Sequence, residues 1–180
     1  MKVLKNLFGN NTKISAENIA IKDNNNEAKT LDEYLSFSFA SMHTNFGVKY
    51  FTSTTKVTGW EDPISYGDFT ADISNNRIII KNTTLLEVSG LTCGNGYALI
   101  VYCVDDINGN KIEDNTGRQT LVQFAGNGYW QVSLPNKVYE LDPTKEYYLT
   151  LYASGYNGST FSINNGFSKY GTWLQAKKIK

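Results

Sequence analysis

From Phe46 to the C-terminus the chain alternates short runs of β-branched and aromatic residues with clusters of Gly, Asn, Asp and Pro, and this rhythm admits few folds. The runs are Val48–Val57, Ile64–Ile73, Arg77–Lys81, Thr84–Val88, Tyr97–Val104, Thr120–Phe124, Tyr129–Leu134, Tyr147–Ala153, Thr160–Ile163 and Thr172–Lys178. Between them lie turn-forming clusters such as Ser74-Asn75-Asn76, Gly94-Asn95-Gly96, Asn108-Gly109, Gly126-Asn127-Gly128 and Asp142-Pro143. Many short strands at this spacing predict an all-β, antiparallel β-sandwich or jelly roll. No βαβ alternation interrupts them, which disfavours the α/β enzyme folds.

The strand over Tyr97–Val104 is apolar on both faces: Tyr97, Leu99, Val101 and Cys103 point one way, Ala98, Ile100, Tyr102 and Val104 the other. An antiparallel strand normally wets one face. The second face therefore asks for a cover, and in a single sandwich another subunit supplies it. Tyr148, Thr150 and Tyr152, alternating with Tyr147, Leu149, Leu151 and Ala153, repeat the hint.

The first 45 residues read differently. Asn10-Asn11 and Asn24-Asn25-Asn26 punctuate turns, and Ile19 and Ile21 alternate with small or polar residues, so residues 1–29 form an extended segment. This composition offers too few apolar side chains to offset ordering entropy, so the segment is expected to order only against a partner. Phe8, Ile14, Ile19 and Ile21 are its anchoring candidates. Thr30-Leu31-Asp32-Glu33 fits a capping box, and Leu31, Tyr34, Leu35 and Phe39 follow at helical spacing. Residues 30–45 are thus read as a short helix and junction, and residues 46–180 as the head domain. So short a helix must pack its stripe on the downstream domain or on copies of itself.

Charge and residue counts narrow the chemistry. Seventeen basic and seventeen acidic residues cancel, leaving no electrostatic footprint for nucleic acid. The longest apolar run, Tyr97–Val104, is far short of the roughly 20 residues of a membrane-spanning helix, so no membrane insertion is expected. His43 is the sole histidine, in a polar stretch read as a solvated linker, so a Ser-His-Asp or Cys-His arrangement has little to build on. Asp105-Asp106-Ile107-Asn108-Gly109-Asn110 invites a calcium-loop reading, but the glycine and the terminal glutamate fall out of place. Asn-Gly between strands is a hairpin turn instead. No metal, cofactor or catalytic residue is expected. Cys93 and Cys103 read as buried apolar residues, and a hairpin turn at 94–96 would set them in a register that conflicts with a disulfide.

The aromatics are the binding candidates. Twelve Tyr, nine Phe and three Trp exceed the needs of one core, and Trp60, Tyr129, Trp130 and Tyr156 lie beside turns, where loops of a rigid sandwich carry binding. An aromatic face stacks on the apolar face of a sugar. These four residues form the expected glycan site.

Two stretches resemble known families. Residues 13–36, with Asn18-Ile19, an Asn-rich turn and Thr30-Leu31-Asp32-Glu33-Tyr34-Leu35, are similar to a segment recurrent in bacteriophage fibre, baseplate and adhesin proteins. From Gly96-Tyr97 through Val138-Tyr139-Glu140-Leu141 to Thr172-Trp173-Leu174-Gln175-Ala176, the chain resembles the second half of a tumour-necrosis-factor-like or complement-head-like jelly roll. The resemblance implies a homotrimeric virion protein, assembled in the host cytoplasm. It would be a short head- or tail-associated fibre or decoration protein rather than an enzyme, joined to other virion proteins by its N-terminus. Leu31, Tyr34, Leu35 and Phe39 are the expected trimer seam, and host-surface polysaccharide is a further expected partner. A carbohydrate-binding module of a bacterial surface protein or enzyme is the alternative.

Overall fold

The computed structural model describes residues 20–22, 28–30, 37–44, 49–51, 54–110, 120–122, 129–155, 159–164 and 171–179. The chain divides into two compact units, Met1–Ser36 and Phe37–Lys180. In the first unit, strands β1 (Ala20–Lys22) and β2 (Ala28–Thr30) pair antiparallel, with Ala20 opposite Thr30 and Lys22 opposite Ala28. Ile21 is the middle residue of β1. Phe8, Ile14 and Ile19 of the expected anchor lie outside the described residues, as do Leu31, Tyr34 and Leu35 of the expected helix.

The described residues of the second unit form thirteen strands. They are β3 (Phe39–Thr44), β4 (Lys49–Phe51), β5 (Thr55–Lys56), β6 (Trp60–Tyr66), β7 (Phe69–Asp72), β8 (Arg77–Ile80), β9 (Leu85–Gly96), β10 (Ala98–Asp106), β11 (Thr120–Val122), β12 (Tyr129–Glu140), β13 (Tyr147–Gly155), β14 (Phe161–Asn164) and β15 (Trp173–Ile179). One sheet runs β4-β14-β9-β15-β3-β6 with β12 also on β9, and the other β11-β10-β13-β8-β7 with β5 also on β13. The expected all-β antiparallel sandwich is the observed fold.

The head domain starts earlier than the sequence pattern predicts. Phe39 opens β3 and does not close a helical stripe: it lies opposite Lys177 and Tyr66, in a strand held between β15 and β6. Ala40, Met42 and Thr44 are buried and alternate with the half-buried Phe39 and His43, with Ser41 between them covered as well. The sandwich thus begins at Phe37 rather than at residue 46, and the junction expected over 39–44 is a strand.

The core lies between the inner faces. Ala40, Met42, Leu86, Val88, Trp130, Leu134, Leu174 and Ala176 of the first sheet face Phe69, Ile78, Ile80, Ile100, Tyr102, Val104, Leu149 and Leu151 of the second. Each fully buried aliphatic side chain contributes roughly 1.5–3 kcal/mol. The fully buried phenol of Tyr102 is satisfied: its Oη donates to the Pro135 carbonyl at 2.6 Å, where β12 bulges between Leu134 and Lys137.

Cys93-Gly94-Asn95-Gly96 is a strand rather than the expected turn. Gly94 pairs with Trp130 of β12 on one side and Ile163 of β14 on the other. A Cβ on Gly94 would overlap the Ser162 carbonyl oxygen and come within 2.5 Å of the Trp130 indole. Four residues earlier on the same face, a Cβ on Gly90 would lie 2.9 Å from a Leu134 methyl. The glycines are holes that receive large side chains from the neighbouring strand. The chain changes sheet only at Gly96, with φ +91°, before β10. Because β9 and β10 belong to different sheets, Cys93 and Cys103 are not ladder neighbours, and both are buried thiols. Burial pushes the Cys93 thiol up to about 11.

The Asn-Gly turn after β10 is as expected. Gly109 has φ +81°, and Asp106 Oδ1 accepts from the amides of Asn108 (2.8 Å) and Asn110 (2.9 Å). Gly94→Ala should cost about 1–3 kcal/mol through overpacking. Gly109→Asn, at an exposed site that asparagine accepts, should change stability by less than about 0.5 kcal/mol. Chemical denaturation of the two variants measures both, and equal losses would refute the steric account of Gly94.

Candidate assembly face

The two tryptophans expected in a glycan site are core residues. Trp60 is 3% exposed and donates its indole N–H to the Val57 carbonyl at 2.9 Å; Trp130 is 5% exposed and donates to the Gly96 carbonyl at 2.9 Å. Each sits where a strand meets a turn, as the sequence pattern indicates, but the ring turns inward because an indole can bury its area once its N–H is paired. Tyr129 opens β12, and its side chain and Tyr156 lie outside the described residues.

The two sheets each present an outer face, and the two faces differ in chemistry. On the second sheet the alternation sets Leu99, Val101 and Cys103 of β10 beside Tyr152 and Thr150 of β13. The expected apolar outer face is there, yet charge ties it down. Arg77 lies 3.9 Å over the Tyr148 ring, Tyr148 Oη donates to Glu146 at 2.7 Å, and Lys81 pairs with the same carboxylate at 2.7 Å. The Lys81 bond holds the Glu146 carboxyl below its ordinary range, and hydrogen bonding to Glu146 raises the Tyr148 phenol. On this face Arg77, Lys81, Glu146 and Tyr148 satisfy one another.

The outer face of the first sheet has a different chemistry. Register carries one row across five strands: Ser133 opposite Leu91, Leu91 opposite Trp173, Trp173 opposite His43, and His43 opposite Glu61. The next row is Ser89, Gln175, Ser41 and Ile64. Only the third, Glu87, Lys177, Phe39 and Tyr66, brings opposite charges into the sheet's centre. Over β12, β9, β15 and β3 the first two rows therefore carry no ionised group at neutral pH. Rows without Lys, Glu or Asp around a large aromatic match the charge depletion of an interface core. Ser41, although outward, is only 3% exposed.

At the distal edge of this face, Cys93 marks a fork. β15 pairs with β9 as far as Leu91, and β14 pairs with it from Cys93 onward. Thr172 bridges the gap: its hydroxyl accepts from the Cys93 amide at 3.0 Å, and its carbonyl accepts from the Thr44 amide at 2.9 Å. The Cys93 thiol donates to the Gly171 carbonyl at 2.7 Å. A hydroxyl thus replaces a ladder carbonyl where two strands part.

His43 is half-buried in this row and is not the solvated linker residue its polar surroundings suggest. Burial pushes its pKa below 6.5, partly opposed by Asp62. Among the described residues no group of three or more His, Cys, Asp or Glu could hold a metal ion. Sequence reasoning missed the face because its residues come from strands far apart in the chain. The available signal was the absence of charge at alternate positions: Ser89, Leu91, Cys93 and Asn95 on β9, Trp173 and Gln175 on β15.

No protein-family model matches this chain, and no curated protein is detectably similar in sequence. Among solved structures, crystal structures of murine APRIL at pH 8.0 and pH 5.0 superpose with TM-scores of 0.50 and 0.51. Each is 14% identical to this chain, and the match covers 79% of this chain and 99% of that one. At such identity the likeness shows the fold alone, a tumour-necrosis-factor-like jelly roll.

The His43 shift carries a sign. The unfolded chain takes up the proton at higher pH than the folded one, so this contribution to stability is present above the ordinary value of 6.5 and is lost as pH falls from there through the lowered folded value. Denaturation midpoints between pH 7.5 and 5 should decline less in His43→Gln than in the parent. A parent and variant that decline in parallel would remove His43 as a cause.

Proposed function

We propose that this chain is a homotrimeric structural protein of a bacteriophage particle, joined to other virion proteins through its N-terminal unit, with the jelly roll as its exposed head. The observation that carries the assembly half is the pair of uncharged rows around Leu91 and Trp173 on the outer face of the first sheet. A surface strand in a monomer gains solubility from charge, whereas residues near a three-fold axis meet copies of themselves, and like charges repel there. Serine, glutamine, leucine and tryptophan meet their own copies without that penalty. Phe39, at the margin of the same face, fits the seam as a strand residue.

The virion half rests on the similarity of residues 13–36 to phage fibre and adhesin segments. The β1–β2 pair falls within that stretch. The fold is compatible with a role in which surfaces rather than a reaction centre do the work.

Light scattering of the full chain at micromolar concentration should give three times the chain mass of 20.1 kDa. Leu91→Lys should reduce that to one chain while the circular dichroism of the sandwich persists, since an unpaired charge in an apolar seam costs several kcal/mol. Val101→Lys, on the outer face of the second sheet, should leave the trimer intact. A monomeric parent defeats the assembly reading. A trimer broken by Val101→Lys but not by Leu91→Lys moves the seam to the other sheet, and Leu35→Asp tests the N-terminal stripe separately.

A further inference from the structure

The third row of the first sheet ends in an aromatic shelf that the core does not use. Phe37 is 44% exposed and Tyr66 63% exposed, their ring centroids 5.8 Å apart and tilted by 48°. Phe39 lies behind Phe37, its ring nearly parallel at 6.1 Å. Rings so placed give up burial that the core would reward, and they expose flat faces to solvent. Singly exposed apolar side chains are ordinary, whereas exposed ones in contact, as here, are where a surface can take a ligand.

Polar groups follow directly on Tyr66, in a turn held against the start of β3. Gly67, with φ +64°, turns the chain from β6 into β7, and a Cβ there would lie 2.6 Å from both the Phe37 carbonyl and the Ser38 hydroxyl. The turn is thus pressed against the start of β3. It is locked there by the Asp68 amide, which donates to Ser38 Oγ at 3.1 Å. Asn82, in a left-handed conformation with φ 47°, donates from its side-chain amide to Asp68 Oδ1 at 3.2 Å. Both side chains are exposed. Once that bond is made, Asp68 Oδ2 and Asn82 Oδ1 remain as acceptors and one amide N–H as a donor.

We infer that Phe37, Tyr66, Asp68 and Asn82 form a carbohydrate-binding site for a pyranose sugar. A pyranose offers a C–H face that stacks on an aromatic ring and an edge of neighbouring hydroxyls that both donate and accept. The shelf supplies the flat apolar surface, and the Asp68–Asn82 pair supplies acceptors and a donor side by side, already oriented. A single carboxylate without other hard ligands does not make a cation site. Strand addition is opposed at this edge, since β6 carries Pro63 and a positive φ of 46° at Asp62. The inference goes beyond the trimer reading and does not depend on it, because all four residues belong to one chain. In an oligomer, repeated copies of a weak site would add avidity.

Affinity electrophoresis of the full chain in gels containing a β-glucan, an α-glucan, a galactan or glycol chitin tests the site. At least one polymer should retard the parent. Phe37→Ala, Tyr66→Ala and Asp68→Ala should each weaken that retardation at least tenfold, with melting temperatures close to the parent's. Tyr66→Phe, which keeps the stacking face, should retain most of it. Ile107→Ala removes an apolar side chain that is 66% exposed elsewhere and should change nothing. Retardation of the parent by none of the four polymers overturns the inference, as does equal retardation of parent and Phe37→Ala/Tyr66→Ala double variant. A parent that is monomeric by light scattering yet loses retardation in the variants would sink the trimer and leave the sugar site standing.

Discussion

A twelve-residue strand in the middle of a sheet must find a partner for its backbone polar groups on both edges, and β9 is where this constraint is met. β12 satisfies one edge over almost its full length, while β15 and β14 divide the other. The arrangement holds only if the strands can approach at the level of Gly90 and Gly94, where Leu134 and Trp130 fill the space a side chain would take. Closing the fork at Cys93 needs the Thr172 hydroxyl. Those contacts set the register of β12 and β15 on β9. Register, in turn, decides which residues share a row on the outer face.

That dependence links the core to the surface. A slip of one residue between β15 and β9 would turn Trp173 and Gln175 inward and Leu174 and Ala176 outward, exchanging the uncharged face for an apolar one. The face around Leu91 and Trp173 is therefore a product of the same packing that buries Trp130. The two sheets also divide the labour of their exposed sides. The second closes its tyrosines with Arg77, Lys81 and Glu146, and the first leaves its central rows uncharged and its margin aromatic.

Much of the fold was legible because strand chemistry is local. β8 begins at the predicted Arg77, and β10, β13, β14 and β15 lie within a residue or two of the segments read from β-branched and aromatic runs. Errors arose where a residue's meaning depends on a distant neighbour. Glycine punctuates turns when considered alone, but Gly94 serves a tryptophan 36 positions later in the chain. Trp60 and Trp130 sit beside turns, and nothing local shows that their indoles find carbonyl acceptors inside. Phe39 fits a helical stripe by spacing, yet β15, more than a hundred residues downstream, draws it into a ladder.

The sequence by itself determined an all-β antiparallel architecture, the position of most strands and the left-handed turn at Gly109, since alternation and turn chemistry act over a few residues. It also determined a net charge of zero, since seventeen charges of each sign cancel. Tertiary structure alone decided which aromatics face water. Phe37 and Tyr66 are left outside and Trp60 and Trp130 taken in because burial depends on what the opposing strand and sheet present. It also decided that Leu91, Trp173 and His43 share one row, for a row is made by hydrogen-bond register between strands up to 130 residues apart, and register is a property of the assembled sheet.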